Sequence, residues 1–152
     1  MITFPIIIIS GGQTGADQGG LAGAKVLGIK TGGTAPLHYR TDEGNNPSLL
    51  RDVYGLKESK YWAYPPRTKD NVRDSDATLW VGKTTSPGFY CTKKACDSLG
   101  KQMFINPSAA ELRAYCQSLN VAVLNVAGNR EKSNPGIHDR TRDLIVEACK
   151  VL

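Results

Sequence analysis

Apolar and polar positions fall into short blocks punctuated by glycine. Ile6 to Ile9 form an unbroken β-branched run, the pattern of a strand buried on both faces. Ser10-Gly11-Gly12 ends it. A helical pattern follows from about Gly15, with Leu21, Ala24, Val26 and Leu27 as its apolar positions. Gly28 to Gly33 reads as a helix stop and a short second strand. Residues 34 to 66 read as an irregular stretch broken by Pro36, Pro47, Pro65 and Pro66. A connection that long is usually functional or an oligomer contact. Its Tyr54, Tyr61, Trp62 and Tyr64 either stack on a flat ring or cover the edge of the core, and the second is the expectation.

The second half repeats the block pattern. Arg67 to Asp76 predicts a short helix and turn, and Ala77 to Gly82 a buried strand. Lys83 to Thr92 predicts a loop, and Lys93 to Leu99 a helix ended by Gly100. Gln102 to Asn106 is a further strand. Ser108 with Glu111 is a capping-box signature for a helix from Ala109 to Leu119. Val121 to Gly128 is the last strand, Asn129 to Pro135 a polar loop, and Gly136 to Leu152 the terminal helix. Alternating strands and helices imply an α/β fold: a Rossmann-like three-layer sandwich around a mostly parallel sheet, with residues 1–152 as one domain.

Composition narrows the function classes. The chain has 152 residues and a net charge of +5, with Lys and Arg never in a run longer than two. That is mild attraction for anions, without the concentrated patch expected of a nucleic-acid binder. Cys91, Cys96, Cys116 and Cys149 form no CxxC pair, so free thiols in a cytoplasmic protein are expected and a metal centre is not. The apolar start is too short for a membrane span.

The chemistry concentrates in the turns. Gly11-Gly12-Gln13-Thr14-Gly15, between a buried strand and a helix, has the composition of an anion loop, in which backbone amides and a helix N-terminus receive a phosphate. The turn is neither a dinucleotide fingerprint, because position 10 is Ser, nor a P-loop, because no lysine follows Gly15. Gly12 and Gly15 are therefore expected to serve ligand binding rather than folding. Asp17 is expected to point away from the anion, because a carboxylate repels it. The stretch containing Thr84, Ser86, Gly88 and Thr92 forms a second loop of glycine and hydroxyls, and Gly128 opens a third. Parallel topology should bring these three loops to one edge, with Arg67 and Asn71 beside them. Cys91, His38 and His138 have no base or nucleophile at a spacing that suggests catalysis.

Taken together, Ser10–Asp17, Thr31-Gly32-Gly33, Arg67-Thr68, Asn71–Leu79, Leu124–Gly128, Glu131 and Pro135-Gly136-Ile137 resemble the molybdenum cofactor carrier protein family. The resemblance runs in order over nearly the whole chain. It implies a Rossmann-like fold related to lysine-decarboxylase-like and phosphoribohydrolase proteins. It also implies a cytosolic homo-oligomer, dimer or tetramer, that holds molybdenum cofactor as cargo for molybdoenzyme acceptors. It extends the cofactor-binding set to Gly32, Gly33, Ser75, Asp76 and Asn125. The alternative is a nucleotide-binding enzyme of the phosphoribohydrolase type. Those hydrolases carry Pro-Gly-Gly-x-Gly-Thr-x-x-Glu, whereas the corresponding stretch here runs from Pro87 and ends in Ala95. With the glutamate missing, a non-catalytic small-molecule binding protein is the expectation.

Overall fold

The computed structural model describes residues 4–152. A five-stranded parallel sheet forms its centre. The strands are β1 (Ile7–Ser10), β2 (Lys30–Gly32), β7 (Ala77–Val81), β8 (Gln102–Ile105) and β9 (Val123–Gly128). Their order is β2-β1-β9-β7-β8. Ile8 pairs with Leu124, and Leu79 with Val126, so apolar residues of three adjacent strands lie side by side. The expected mostly parallel α/β sandwich is the observed architecture.

The order has a consequence for the site. Counted from β9, the strands read 3-2-1-4-5, the doubly wound order. The strand that opens an ordinary fold of this kind closes this chain. Its βα loop, at Gly128, therefore sits at the centre of the sheet edge.

Helices α1 (Ala16–Leu27), α5 (Ala109–Ser118) and α6 (Ile137–Cys149) pack together on one face. Helices α3 (Tyr64–Arg73) and α4 (Pro87–Leu99) pack together on the other, as right-handed crossovers require. Helix α1 approaches its neighbours closely because it presents hydrogens where other residues present a Cβ. A Cβ on Gly20 would lie 2.6 Å from Val126, and one on Gly23 would lie 2.8 Å from Ile145. The face it buries is Gly19, Gly20, Leu21, Gly23 and Ala24. Val26, expected on the apolar side, is 65% exposed.

Two helices begin earlier than the sequence suggests. Helix α3 starts at Tyr64 and takes Pro65 and Pro66 into its first turn, where a missing N–H costs nothing. Helix α4 starts at Pro87, capped by the Ser86 hydroxyl, which accepts from the Phe89 amide at 3.2 Å. Gly88 and Thr92 are thus helical, and the expected ten-residue loop is a short turn. The capping box at Ser108 and Glu111 forms as expected.

Residues 34–63 are less irregular than expected. They hold β3 (Thr34–Ala35), β4 (Arg40–Thr41), β5 (Gly44–Asn45), α2 (Pro47–Leu50) and β6 (Lys57–Glu58). They enclose a second core of Ala35, Tyr39, Leu50, Tyr54 and Leu56 around Leu21 of α1. Among the described residues no helix is long and apolar enough to cross a membrane.

Candidate functional site

A cavity of about 230 Å³ lies at the carboxyl edge of the sheet. The β1–α1 turn supplies Gln13 and Asp17. The ends of β7 and β9 supply Trp80, Ala127, Gly128 and, just beyond, Arg130. Helix α3 contributes Tyr64, Pro65, Arg67 and Thr68; α4 contributes Pro87, Gly88, Cys91 and Thr92. A crevice beside the central strand is where open α/β sheets bind ligands.

Three βα loops do converge here, and Asn129 ties them. Its carbonyl accepts from the Ala16 amide at 3.1 Å. Its Oδ1 accepts from the Lys83 amide at 2.7 Å and from Asn134 at 3.1 Å; its Nδ2 donates to Ser86 Oγ at 3.3 Å. Glu131 closes the third loop by accepting from the amides of Gly136 at 2.6 Å and His138 at 2.9 Å. Those amides hold its carboxyl below the usual carboxylate range.

The β1–α1 turn differs from the anion loop the sequence suggests. The Gly12 amide donates to Ser10 Oγ at 3.2 Å, and the Gln13 amide to Asp17 Oδ2 at 3.2 Å. The Thr14 amide donates to Gln13 Oε1 at 2.9 Å, and Ala16 to Asn129. Four donors of the expected cradle are engaged within the protein. Its glycines serve packing. A Cβ on Gly12, where φ is +78°, would lie 2.8 Å from Leu50; one on Gly15, where φ is +87°, would collide with the Asn129 carbonyl. The expectation that these two glycines serve the ligand rather than the fold is corrected accordingly. At Gly11 the close neighbour is the Arg67 side chain, which lies over it.

Arg67 is the main charged group of the site. Its side chain is 13% exposed and approaches Asp17 Oδ2 at 3.8 Å. Nη1 donates to Thr68 Oγ1, while the buried Nε has no partner. The indole Nε1 of Trp80, another lining residue, is also buried without a partner. The guanidinium lies 5.3 Å from the Tyr64 ring centre; those of Arg40 and Arg130 lie at 4.3 and 5.9 Å. Arg130 pairs with Asp42 at 3.2 Å. Asp17 is buried; its Oδ2 accepts from the Gln13 backbone amide, the kind of partner expected for it, and the residue also lines the crevice. Burial pushes its carboxyl up from 3.8 to about 6, against the opposing pull of Arg67 and the Gln13 amide.

Of the residues singled out from sequence, Gln13, Arg67, Gly88, Thr92 and Gly128 line the crevice. Thr14 and Ser86 lie at its edge, engaged in turn and cap. Thr84 is exposed in the β7–α4 turn. The others are elsewhere. Asn71 is buried with both side-chain ends on the backbone of Thr34, at 2.9 Å each, clamping β3 to α3. Ser75 bonds the Val72 carbonyl, and Asp76 accepts from the amides of Ala122 and Val123, all at the opposite, amino edge. Asn125 is buried between strands, donating to Thr78 at 3.1 Å. Gly32 and Gly33 belong to the end of β2, where a Cβ on Gly33 would collide with the Ser10 carbonyl. Each is a polar or glycine residue in or beside a strand or helix of the sheet edge region; which edge it reaches, and whether the protein already satisfies it, is a tertiary matter. Arg130 was not singled out from the sequence, Tyr64 was expected mainly to cover the core edge, and Asp17 was expected to turn from the anion. Their one sequence signal is position within a turn of a strand's carboxyl end or of a proline-marked helix start. Among the described residues no three His, Cys, Asp or Glu side chains gather as a metal-ligand set.

Comparison with known proteins agrees with this topology. A crystal structure of a protein from Syntrophus aciditrophicus SB, named "putative molybdenum carrier protein", is similar over 95% of this chain and 94% of that one. The identity is 30% and the TM-score 0.84. The resemblance drawn from the sequence motifs points the same way. None of the curated proteins matches. The model of the circularly permutated YpsA SLOG family matches residues 8–149, and a doubly wound sheet whose first strand comes last is what such a permutation produces. This chain belongs to the circularly permutated YpsA SLOG family.

Proposed function

We propose that this chain is a carrier that holds molybdenum cofactor, a phosphorylated pterin, as cargo in the crevice and passes it on intact. The observation that carries the reading is Arg67: a largely buried guanidinium on a cavity wall, with Nε unpartnered. Leaving a buried charged donor unpaired costs about 1–3 kcal/mol, and an anion in the crevice would recover it. Arg67 and Arg130 take the phosphate in this reading. The Tyr64 ring offers a flat face to the pterin, and the Thr92 hydroxyl and α4 first turn reach its polar edge. The name of the Syntrophus protein supports the cargo assignment. The phosphate role passes from the β1–α1 turn amides, which are engaged, to the two arginines. The carrier works as a homo-oligomer that delivers to molybdoenzymes.

The test follows the lifetime of released cofactor with and without protein, and its transfer to an apo-enzyme. Wild type should prolong the lifetime and support transfer; Arg67→Ala should lose both by about tenfold or more while keeping its fold. A second reading, a phosphoribohydrolase, is favoured by Asp17 beside Arg67, the carboxylate and orienting cation such a reaction needs. The position corresponding to the hydrolase glutamate is Ala95, which weighs against it. Cofactor decay at the protein-free rate, together with free base released from nucleoside monophosphates, would replace the carrier by the hydrolase.

A further inference from the structure

Asp17 poses a problem for any anion in this crevice. It is 4% exposed and lines the same cavity as Arg67. One oxygen, Oδ2, accepts from the Gln13 amide and faces Arg67 at 3.8 Å. Among the described residues nothing donates to the other, Oδ1. A carboxylate is an acceptor only, so an oxyanion drawn to Arg67 meets a like charge with an open lone pair a few ångströms away. A proton between the two removes the conflict. An oxyanion bearing a P–OH group donates it to Oδ1 and turns repulsion into a charge-assisted hydrogen bond.

We infer that Asp17 is a specificity residue that shares one proton with the bound anion, so that the crevice takes a hydrogen phosphate or phosphate monoester and rejects aprotic oxyanions such as sulfate and free molybdate. The inference rests on the crevice being the anion site proposed above and narrows its ligand class: the phosphorylated organic part of a cofactor is recognised, the bare metal oxyanion is not. Selection against a competitor by an unpaired like charge is an economical form of specificity, since the competitor cannot supply the missing hydrogen. The charged and titratable groups around Asp17 are Arg67 and Tyr64 from α3, Cys91 from α4 and Arg130 after β9. The two arginines attract every oxyanion alike; Asp17 supplies the discrimination. Inorganic hydrogen phosphate carries the shared proton at neutral pH, and a phosphate monoester, with its second pKa near 6, carries it as its monoanion.

The experiment is calorimetric titration of the whole chain with inorganic phosphate, sulfate and molybdate, at about pH 7.5 and again at about pH 5. At the higher pH phosphate should bind at least about tenfold more tightly than either aprotic anion. At the lower pH Asp17 carries its own proton and donates it, so sulfate should recover most of that gap. Asp17→Asn, whose amide donates, should bind all three within about threefold at both pH values. Equal binding of phosphate and sulfate at pH 7.5, or a preference that survives in Asp17→Asn, overturns the role of Asp17 while leaving the carrier reading intact. Failure of every anion to bind at either pH overturns both. The wild-type pH series decides the matter by itself if the variant does not fold.

Discussion

The β1–α1 turn and the first turns of α3 meet at Gly11, where the Arg67 side chain lies against the turn's backbone. The turn is glycine-rich, yet four of its amides are bonded to Ser10, Asp17, Gln13 and Asn129. The start of α3 reads Tyr64-Pro65-Pro66-Arg67, with no hallmark of a ligand loop, yet it provides the unpartnered Nε and the ring that three guanidiniums approach. Glycine marks close approach, and the approaching group can be the protein's own chain. Here that group is Leu50 at Gly12 and the Asn129 carbonyl at Gly15. Unspent hydrogen-bonding capacity in a buried group is the more direct indicator of a ligand.

Substitution at the turn glycines is the most forceful way to break this contrast. Gly15→Val puts a branched side chain at positive φ against backbone, and Gly12→Val drives one into Leu50. Both should lower stability by more than about 3 kcal/mol in thermal or denaturant unfolding. A fully stable Gly12→Val that had lost only ligand affinity would restore the turn as the binding loop. Asp17→Asn comes next, with the opposite sign. The folded carboxyl titrates near 6 against 3.8, so the folded state binds the proton more strongly. Asp17's contribution to stability is therefore full below pH 3.8 and lost as pH rises through about 6. Above that range the Asn variant should be more stable by about 1–3 kcal/mol, the lower end applying because Arg67 loses a neighbouring charge. Urea unfolding of both proteins from pH 4 to 8 checks it; parallel curves would mean that Asp17 is not strained by its burial. The smallest effect is expected of Gln13→Ala, which strips the acceptor from the amides of Thr14 at 2.9 Å and Asp42 at 2.7 Å. A loss of about 1 kcal/mol is expected. A rise in phosphate affinity on freeing those amides would show the turn to be a cradle held shut by Gln13, and would end the contrast.

Much of the architecture was legible along the chain. Runs such as Ile6–Ile9 and Val121–Gly128 are too apolar to be anything but buried strands, and their alternation with helical periods implies parallel pairing. Ser108 and Glu111 announced their helix because a capping box is local. The starts of α3 and α4 were obscured by prolines, which interrupt a helix in its interior but belong in its first turn. Within the candidate site, Arg67 was expected beside the converging loops and lines the crevice there. Asn71, Ser75, Asp76 and Asn125 were equally conspicuous and turned out to be satisfied by Thr34, Val72, the β9 amides and Thr78.

What the sequence determined by itself was the strands and helices of the central sandwich outside residues 34–63, the parallel sense of that sheet and the general chemistry of the edge where its loops meet. These follow from periodicity, caps and residue type, which act over a few residues. The tertiary structure alone decided that β9, last in the chain, is central in the sheet, and thereby which loops flank Arg67. It also decided which polar groups found protein partners and which did not. A hydrogen bond between residues 37 or 47 positions apart, such as Asn71 to Thr34 or Asn125 to Thr78, leaves no periodic trace in the sequence. Whether Arg67 Nε stays unpaired depends on every neighbour that could have reached it.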